Sequence, residues 1–306
     1  MPVTTQARRP VPRLFYCDHY AIPLPAGHKF PMAKYALIRE RLDADHFFRF
    51  ECAPMADPSV VKLAHDGGYV DSFLSGTLSA QAIRRIGFPW SEGLVKRSLA
   101  SVGGTLSATA DALETGWGGN LAGGTHHAFR GEGAGFCVFN DIAVAIEWLR
   151  AEGWVTRVAV IDLDVHQGDG TAQIFEDDAD VLTTSMHCRA NFPFRKQRSK
   201  IDIELAEGVG DEPYLEALDS LIPRVLEFDP EIVFYQSGVD ALASDALGRL
   251  RLSHEGLRER DRRVMEAVSG RAIPFVITLG GGYSEPIELT AEAHANTFRM
   301  AAAIFG

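Results

Sequence analysis

The densest run of reactive side chains is Asp162-Leu-Asp164-Val-His166-Gln-Gly-Asp169-Gly170. Asp164 and His166 stand two apart, so on an extended chain their side chains leave the same face. A carboxylate oxygen and an imidazole nitrogen could then reach one ion. A third acid, Asp240, follows a distant apolar run in Ser237-Gly-Val-Asp240. Three protein ligands with one position left open is the form of a catalytic zinc site. Two of the three are carboxylates, so Fe2+ or Co2+ would also suit the set. An isolated Asp-x-His more often ends a strand and caps the helix after it, so the reading depends on its companions.

Two companions carry chemistry of their own. Gly123-Gly-Thr-His126-His127 sets adjacent imidazoles on a glycine-rich loop, and histidine is the usual general acid or base near neutral pH. Asp162 and Asp169 could each accept an Nδ1 proton from one of them, fixing its tautomer and raising its basicity; helix capping or turn formation is the alternative for both acids. Gly280-Gly-Gly-Tyr283 presents a phenol after an apolar run. No Lys-Ser/Thr follows the glycines and no G-x-G-x-x-G is complete, so a phosphate cradle is disfavoured and an oxyanion donor is the better reading. In Gly131-Glu-Gly-Ala-Gly135-Phe136, the aromatic ring could wall an apolar slot, with Asn140 or Asp141 capping the helix that follows.

These segments need elements to hold them. Short, continuous apolar runs predict strands at Arg13–Cys17, Val158–Ile161, Val181–Ser185, Ile232–Gln236 and Phe275–Leu279. Helices are predicted at Met32–Arg41, Glu92–Glu114, Asp141–Glu152, Glu212–Glu227, Glu255–Val268 and Ile287–Ile304. Continuous rather than alternating strands argue for a parallel sheet covered on both faces. The fold class is therefore α/β, one domain over residues 1–306 with a central, mostly parallel sheet flanked by helices. Three strands run directly into the reactive segments, and in open α/β sheets sites form outside the carboxyl ends of the strands.

The 306 residues are 46% hydrophobic and 23% charged, with 41 acidic against 30 basic side chains and a formal charge of −11. Such a balance disfavours a nucleic-acid partner, which needs a concentrated basic face. It mildly favours cationic substrates. The one basic run, Arg195, Lys196, Arg198 and Lys200, reads as a solvated loop. No apolar stretch is long enough to span a membrane. Residues 1–12 carry prolines and arginines without the apolar core of a secretory signal, and read as a flexible segment of a cytoplasmic protein. The four scattered cysteines fit a reducing compartment.

The runs "GGTHHAFRGEGAGFCVFND", "DLDVHQGDG", "SGVDALASD" and "LGGGY", in this order, resemble the histone deacetylase superfamily. "HYAIPLPAGHKFPMAKY" and "RIGFPWSEGLVKRSLASVGGT" resemble its class IV branch and bacterial relatives. The likeness extends roughly from Phe15 to Phe305 and implies the arginase/deacetylase sheet. It implies a zinc-dependent hydrolase of acylated amines, with Asp164, His166 and Asp240 as metal ligands. His126 and His127 become the tandem histidines, backed by Asp162 and Asp169, with Tyr283 as the catalytic tyrosine. The substrate-lining positions fall on Gly135, Phe136, Phe192, Leu247 and Gly281. A structural K+ or Na+ would engage Asp162, Asp164, His166, Ser185 and Met186. Gln167 and Ser237 depart from the class I pattern, away from the expected chemistry. The expected substrate is an N6-acyl-lysine of a protein or peptide, with acetylpolyamine hydrolysis as the alternative and a non-catalytic acyl-binding module as a further one. A binuclear manganese hydrolase of the arginase kind would need metal-bridging residues where Tyr283 and the tandem histidines stand.

Overall fold

The computed structural model describes residues 12–20 and 22–306. The N-terminal segment expected at residues 1–12 thus lies, save for Pro12, outside the described residues. Eight strands, β1 (Arg13–Tyr16), β2 (Arg49–Cys52), β3 (Trp117–Asn120), β4 (Val158–Asp162), β5 (Val181–Cys188), β6 (Ile201–Leu205), β7 (Ile232–Gln236) and β8 (Phe275–Thr278), form one sheet. Their order is β2-β1-β3-β8-β7-β4-β5-β6, and every pairing is parallel. The helices are α1 (Lys34–Asp43), α2 (Pro58–Val61), α3 (Gly67–Leu74), α4 (Ala80–Ile86), α5 (Glu92–Thr115), α6 (Asp141–Ala151), α7 (Asp169–Ile174), α8 (Asp211–Glu227), α9 (His254–Ser269) and α10 (Ile287–Phe305). This is an α/β fold with the single parallel sheet that the sequence predicts. Among the described residues, no helix is long and apolar enough to cross a membrane.

Every residue of β4, β5, β7 and β8 is buried, which is why β4, β7 and β8 read as largely apolar runs. Three strands escaped the sequence reading, each for a local reason. β3 is Trp-Gly-Gly-Asn, and a Cβ at Gly118 would strike the Ala108 carbonyl of α5; close helix–sheet contact there requires residues of low strand propensity. β6 is an edge strand that alternates, with Asp202 and Glu204 turned outward. β2 is the other edge and is half exposed. The short helices α2, α3, α4 and α7 were likewise not foreseen. The six long helices fall where expected to within about two residues at each end, and in α5 the caps are explicit: Ser91 accepts from Leu94 N–H, and Gly116 ends the helix in the left-handed region at φ +100°.

The strand order explains where a site can form. β4 and β7 are neighbours, but β4 leads to β5 on one side and β7 leads to β8 on the other. Their connections diverge and leave a crevice at the carboxyl ends of the pair, as expected at a topological switch point.

Candidate active site

Asp164 and His166 do not lie on extended chain, which corrects the expectation of a shared strand face. β4 ends at Asp162, whose Oδ1 accepts the Asp164 N–H (3.1 Å). Asp164 Oδ1 accepts the His166 N–H (3.0 Å). Successive Asx-type turns curl the chain, and this bend, not strand alternation, brings the pair together. Asp240, just past β7, is held to the same bend because its Oδ1 accepts the Val165 N–H (2.9 Å). His166 Nδ1 then sits 3.1 Å from Asp164 Oδ1 and 3.0 Å from Asp240 Oδ2. One donor atom from each of the three lies within 4.8 Å of the others, close enough to share a metal ion.

Electrostatically the cluster is short of positive charge. Burial, and then the neighbouring Asp164 charge, push Asp240 up to about 7. Burial opposes charge on His166, yet hydrogen bonds to Asp164 and Asp240 outweigh it and hold the imidazole up at about 10. A divalent cation among these groups would take the place of those protons.

The histidine loop follows β3. The Asp141 carboxylate accepts from Gly124 N–H (3.1 Å), Thr125 N–H (2.8 Å) and Thr125 Oγ1 (2.6 Å), pinning the loop. Asn140, rather than Asp141, caps α6, accepting from Ala143 N–H. His126 Nδ1 meets Asp162 Oδ2 at 2.7 Å, and His127 Nδ1 meets Asp169 Oδ1 at 2.6 Å. Ionised carboxylates only accept, so each Nδ1 carries a proton and a neutral ring keeps Nε2 free as the acceptor. The two rings, with centroids 4.1 Å apart, are driven in opposite directions. Burial disfavours charge on both, but Asp162 and Asp164 hold His126 up at about 9. Burial and the adjacent His126 charge press His127 down to about 4, against the pull of Asp169. His127 is thus the neutral imidazole of the pair.

Tyr283 is fixed through its backbone N–H, which Asp245 Oδ2 accepts at 2.6 Å. Its hydroxyl bonds to no described residue. Burial, then the charges of Asp240 and Asp164, raise the phenol well above its ordinary range, so it remains a proton donor. The Gly280–Gly281 peptide beside it is gripped from both sides: Lys34 Nζ donates to the Gly280 carbonyl (2.9 Å), and Gly281 N–H donates to Asp164 Oδ2 (2.7 Å).

A cavity of about 510 Å³ opens onto this chemistry. Gly135, Phe136, Phe192, Leu247, Gly281 and Tyr283 all line it. His126, His127, Asp164 and His166 reach it too, while Asp162, Asp169 and Asp240 stand behind them. Phe136, in the left-handed region at φ +66°, packs on Phe30 and Phe88 with ring centroids 5.2 and 5.3 Å away. Phe192 sets its ring edge-on to His127 at 4.9 Å. A side chain at Gly135 would meet His127 at 2.7 Å and Phe192 at 3.2 Å, so only glycine keeps the slot open there. Ser185 and Met186 are buried on β5, with Ser185 opposite Asp162 in the sheet register.

Several supports were not foreseen. Lys34 reads as an ordinary surface position of an amphipathic helix, yet it is buried, with its ammonium over the Tyr35 and Tyr283 rings at 5.3 and 5.4 Å. Asn191 ties the Phe192 segment to Leu247 O (2.8 Å) and Arg249 N–H (3.0 Å). Lys196, expected in a solvated run, instead donates to the Asn191 carbonyl at 2.7 Å; Arg195, Arg198 and Lys200 are exposed as expected. His65 bridges the Phe129 carbonyl (2.9 Å) and the Asn140 N–H (2.8 Å), fastening the histidine loop to α6. Lys34, Asn191 and His65 carry no local signal, because each bonds to backbone far away in sequence.

Residues 28–300 match the family model described as the histone deacetylase domain. An uncharacterized protein of Picosynechococcus is 42% identical over 294 residues, covering 95% of this chain and 98% of that one. Histone deacetylase 2 of Arabidopsis thaliana is 32% identical over 270 residues, 84% of this chain and 70% of its own. The histone deacetylase-like amidohydrolase of Pseudomonas aeruginosa is 36% identical over 173 residues, 52% and 46% of the two chains.

Proposed function

The chain belongs to the histone deacetylase family, and on that premise we propose that it hydrolyses the amide of N6-acyl-lysine side chains with one zinc ion held by Asp164, His166 and Asp240. One observation carries this reading: the acid–imidazole–acid cluster, the neutral His127 and the Tyr283 phenol meet at the floor of one aromatic slot. The donor set suits a divalent cation, since two buried carboxylates share a single imidazole, and burial with the neighbouring Asp164 charge raises Asp240. When bound, such an ion polarises the scissile carbonyl and lowers the pKa of a water towards about 7.

The chain's own residues account for the rest. The slot between Phe136 and Phe192 takes the alkyl stem of the lysine and excludes water around the amide. His127, its Nδ1 committed to Asp169, receives the proton of the attacking water at Nε2. The Tyr283 hydroxyl donates to the developing oxyanion. His126, kept protonated by Asp162 and Asp164, supplies the proton that the departing amine needs. We further assign K+ or Na+ to the group Asp162, Asp164, His166, Ser185 and Met186. Four free cysteines accord with work in a reducing cytoplasm.

The test is turnover by purified protein of acetyl-lysine peptides, myristoyl-lysine peptides and acetylpolyamines, before and after chelation. The expected result is hydrolysis of an acyl-lysine peptide, abolished by chelator and restored by Zn2+. Metal bound without turnover of any acylated amine would refute it and favour an acyl-binding module.

A further inference from the structure

The entrance of the slot differs in sign from the protein as a whole. The chain carries 41 acidic against 30 basic residues, yet the exposed charged side chains lining the cavity are Arg84 and Arg85. Among the described residues, the only carboxylate lining it is Asp164, at its floor. Both arginines sit in the last turn of α4, and that turn is joined to the slot wall. The Arg85 carbonyl accepts Gly135 N–H (3.2 Å) and the Ile86 carbonyl accepts Phe136 N–H (2.8 Å), so the arginines are held at a set place on the rim. Arg85 is paired with Glu132. The Arg84 guanidinium makes no hydrogen bond or ion pair with any described residue.

We propose that Arg84 is a specificity-determining residue that selects acyl-lysines flanked by acidic side chains and rejects polycationic amines. The inference rests on the deacylase reading of the site. With an acyl-lysine seated in the slot, the peptide backbone crosses the rim, and its flanking side chains come beside the unpaired guanidinium. A flanking carboxylate gains an ion pair; a flanking ammonium meets a like charge. A polyamine carries its remaining ammonium groups a few methylenes from the scissile amide, which places them at the same rim. The net charge of −11 is spread over the whole molecule, whereas screening confines interactions to about 8 Å at physiological salt, so the rim governs what is felt at the entrance.

The experiment uses three acetyl-lysine peptides of equal length, flanked by Glu, by Gln or by Lys, together with N-acetylspermidine. Wild type, Arg84→Gln and Arg84→Glu are compared by kcat/KM at low and high salt. Exposed ion pairs are worth factors of about 1.5 to 5, so attraction and repulsion together give an expected Glu-to-Lys preference of about tenfold in wild type. That ratio falls towards one in high salt, flattens in Arg84→Gln and inverts in Arg84→Glu. A wild-type ratio near one, a ratio that Arg84→Glu leaves unmoved, or faster turnover of N-acetylspermidine than of the Glu-flanked peptide overturns the proposal. The Gln-flanked peptide separates the two claims. Its hydrolysis with an unmoved ratio removes only the role of Arg84, whereas no turnover of any substrate removes the deacylase reading and this inference with it.

Discussion

Gly281→Ala perturbs the acid–imidazole–acid cluster without replacing any of its three residues. A Cβ at this position would meet Asp240 Cγ at 2.6 Å and Asp164 Oδ2 at 2.9 Å, where ordinary contact begins at 3.4 Å. Relief cannot come from the backbone. Gly281 N–H is held by Asp164, its carbonyl accepts from Val239 N–H (2.9 Å), and Lys34 grips the preceding carbonyl. The nearest clash is with Asp240 Oδ2, so the carboxylates must move by more than about 1 Å. A misplacement of about 1 Å at a reacting centre costs on the order of 10²-fold in rate. Gly281→Ala should accordingly lower kcat/KM on an acetyl-lysine peptide about a hundredfold and weaken Zn2+ binding measured by calorimetric titration. Gly131→Ala, whose Cβ meets open space, is the control and should stay within about 0.5 kcal/mol of wild type in stability. Wild-type activity and metal affinity in a folded Gly281→Ala protein would show that Asp164 and Asp240 are not a rigid ligand pair.

Removing one oxyanion donor costs on the order of 10²–10³ in rate, so Tyr283→Phe should lose that much kcat while keeping its metal content and melting temperature; full activity would exclude the phenol from the chemistry. Burial holds His65 at about 4, below its ordinary 6.5, and its Nε2 must stay unprotonated to accept the Asn140 N–H. Its contribution to stability is complete above pH 6.5 and is lost as pH falls towards 4, up to about 3 kcal/mol. In His65→Gln, denaturant titrations across that window should show a correspondingly smaller loss of stability with acid, and an unchanged pH slope would contradict the assignment.

The candidate site residues were legible because they come in short strings whose chemistry is local. Asp162 to Asp169, the paired His126 and His127, and Tyr283 after three glycines each state a donor set without reference to the rest of the chain. The central strands were legible for a related reason: burial on both faces leaves an unbroken apolar run in β4, β7 and β8. β3 was not, since its two glycines answer to the approach of α5 rather than to strand propensity.

The sequence by itself determined which side chains are available for chemistry and that they follow strands of a parallel sheet. Tertiary structure alone decided how they meet. Asx turns, not strand alternation, converge Asp164 and His166; the strand order brings Asp240 across from β7; and Lys34, Asp141 and Asn191 lock the loops through distant backbone atoms. The physical reason is that residue type and spacing encode local chemistry, whereas a hydrogen bond across more than a hundred residues, or a pKa set by burial, exists only once the chain has closed around it.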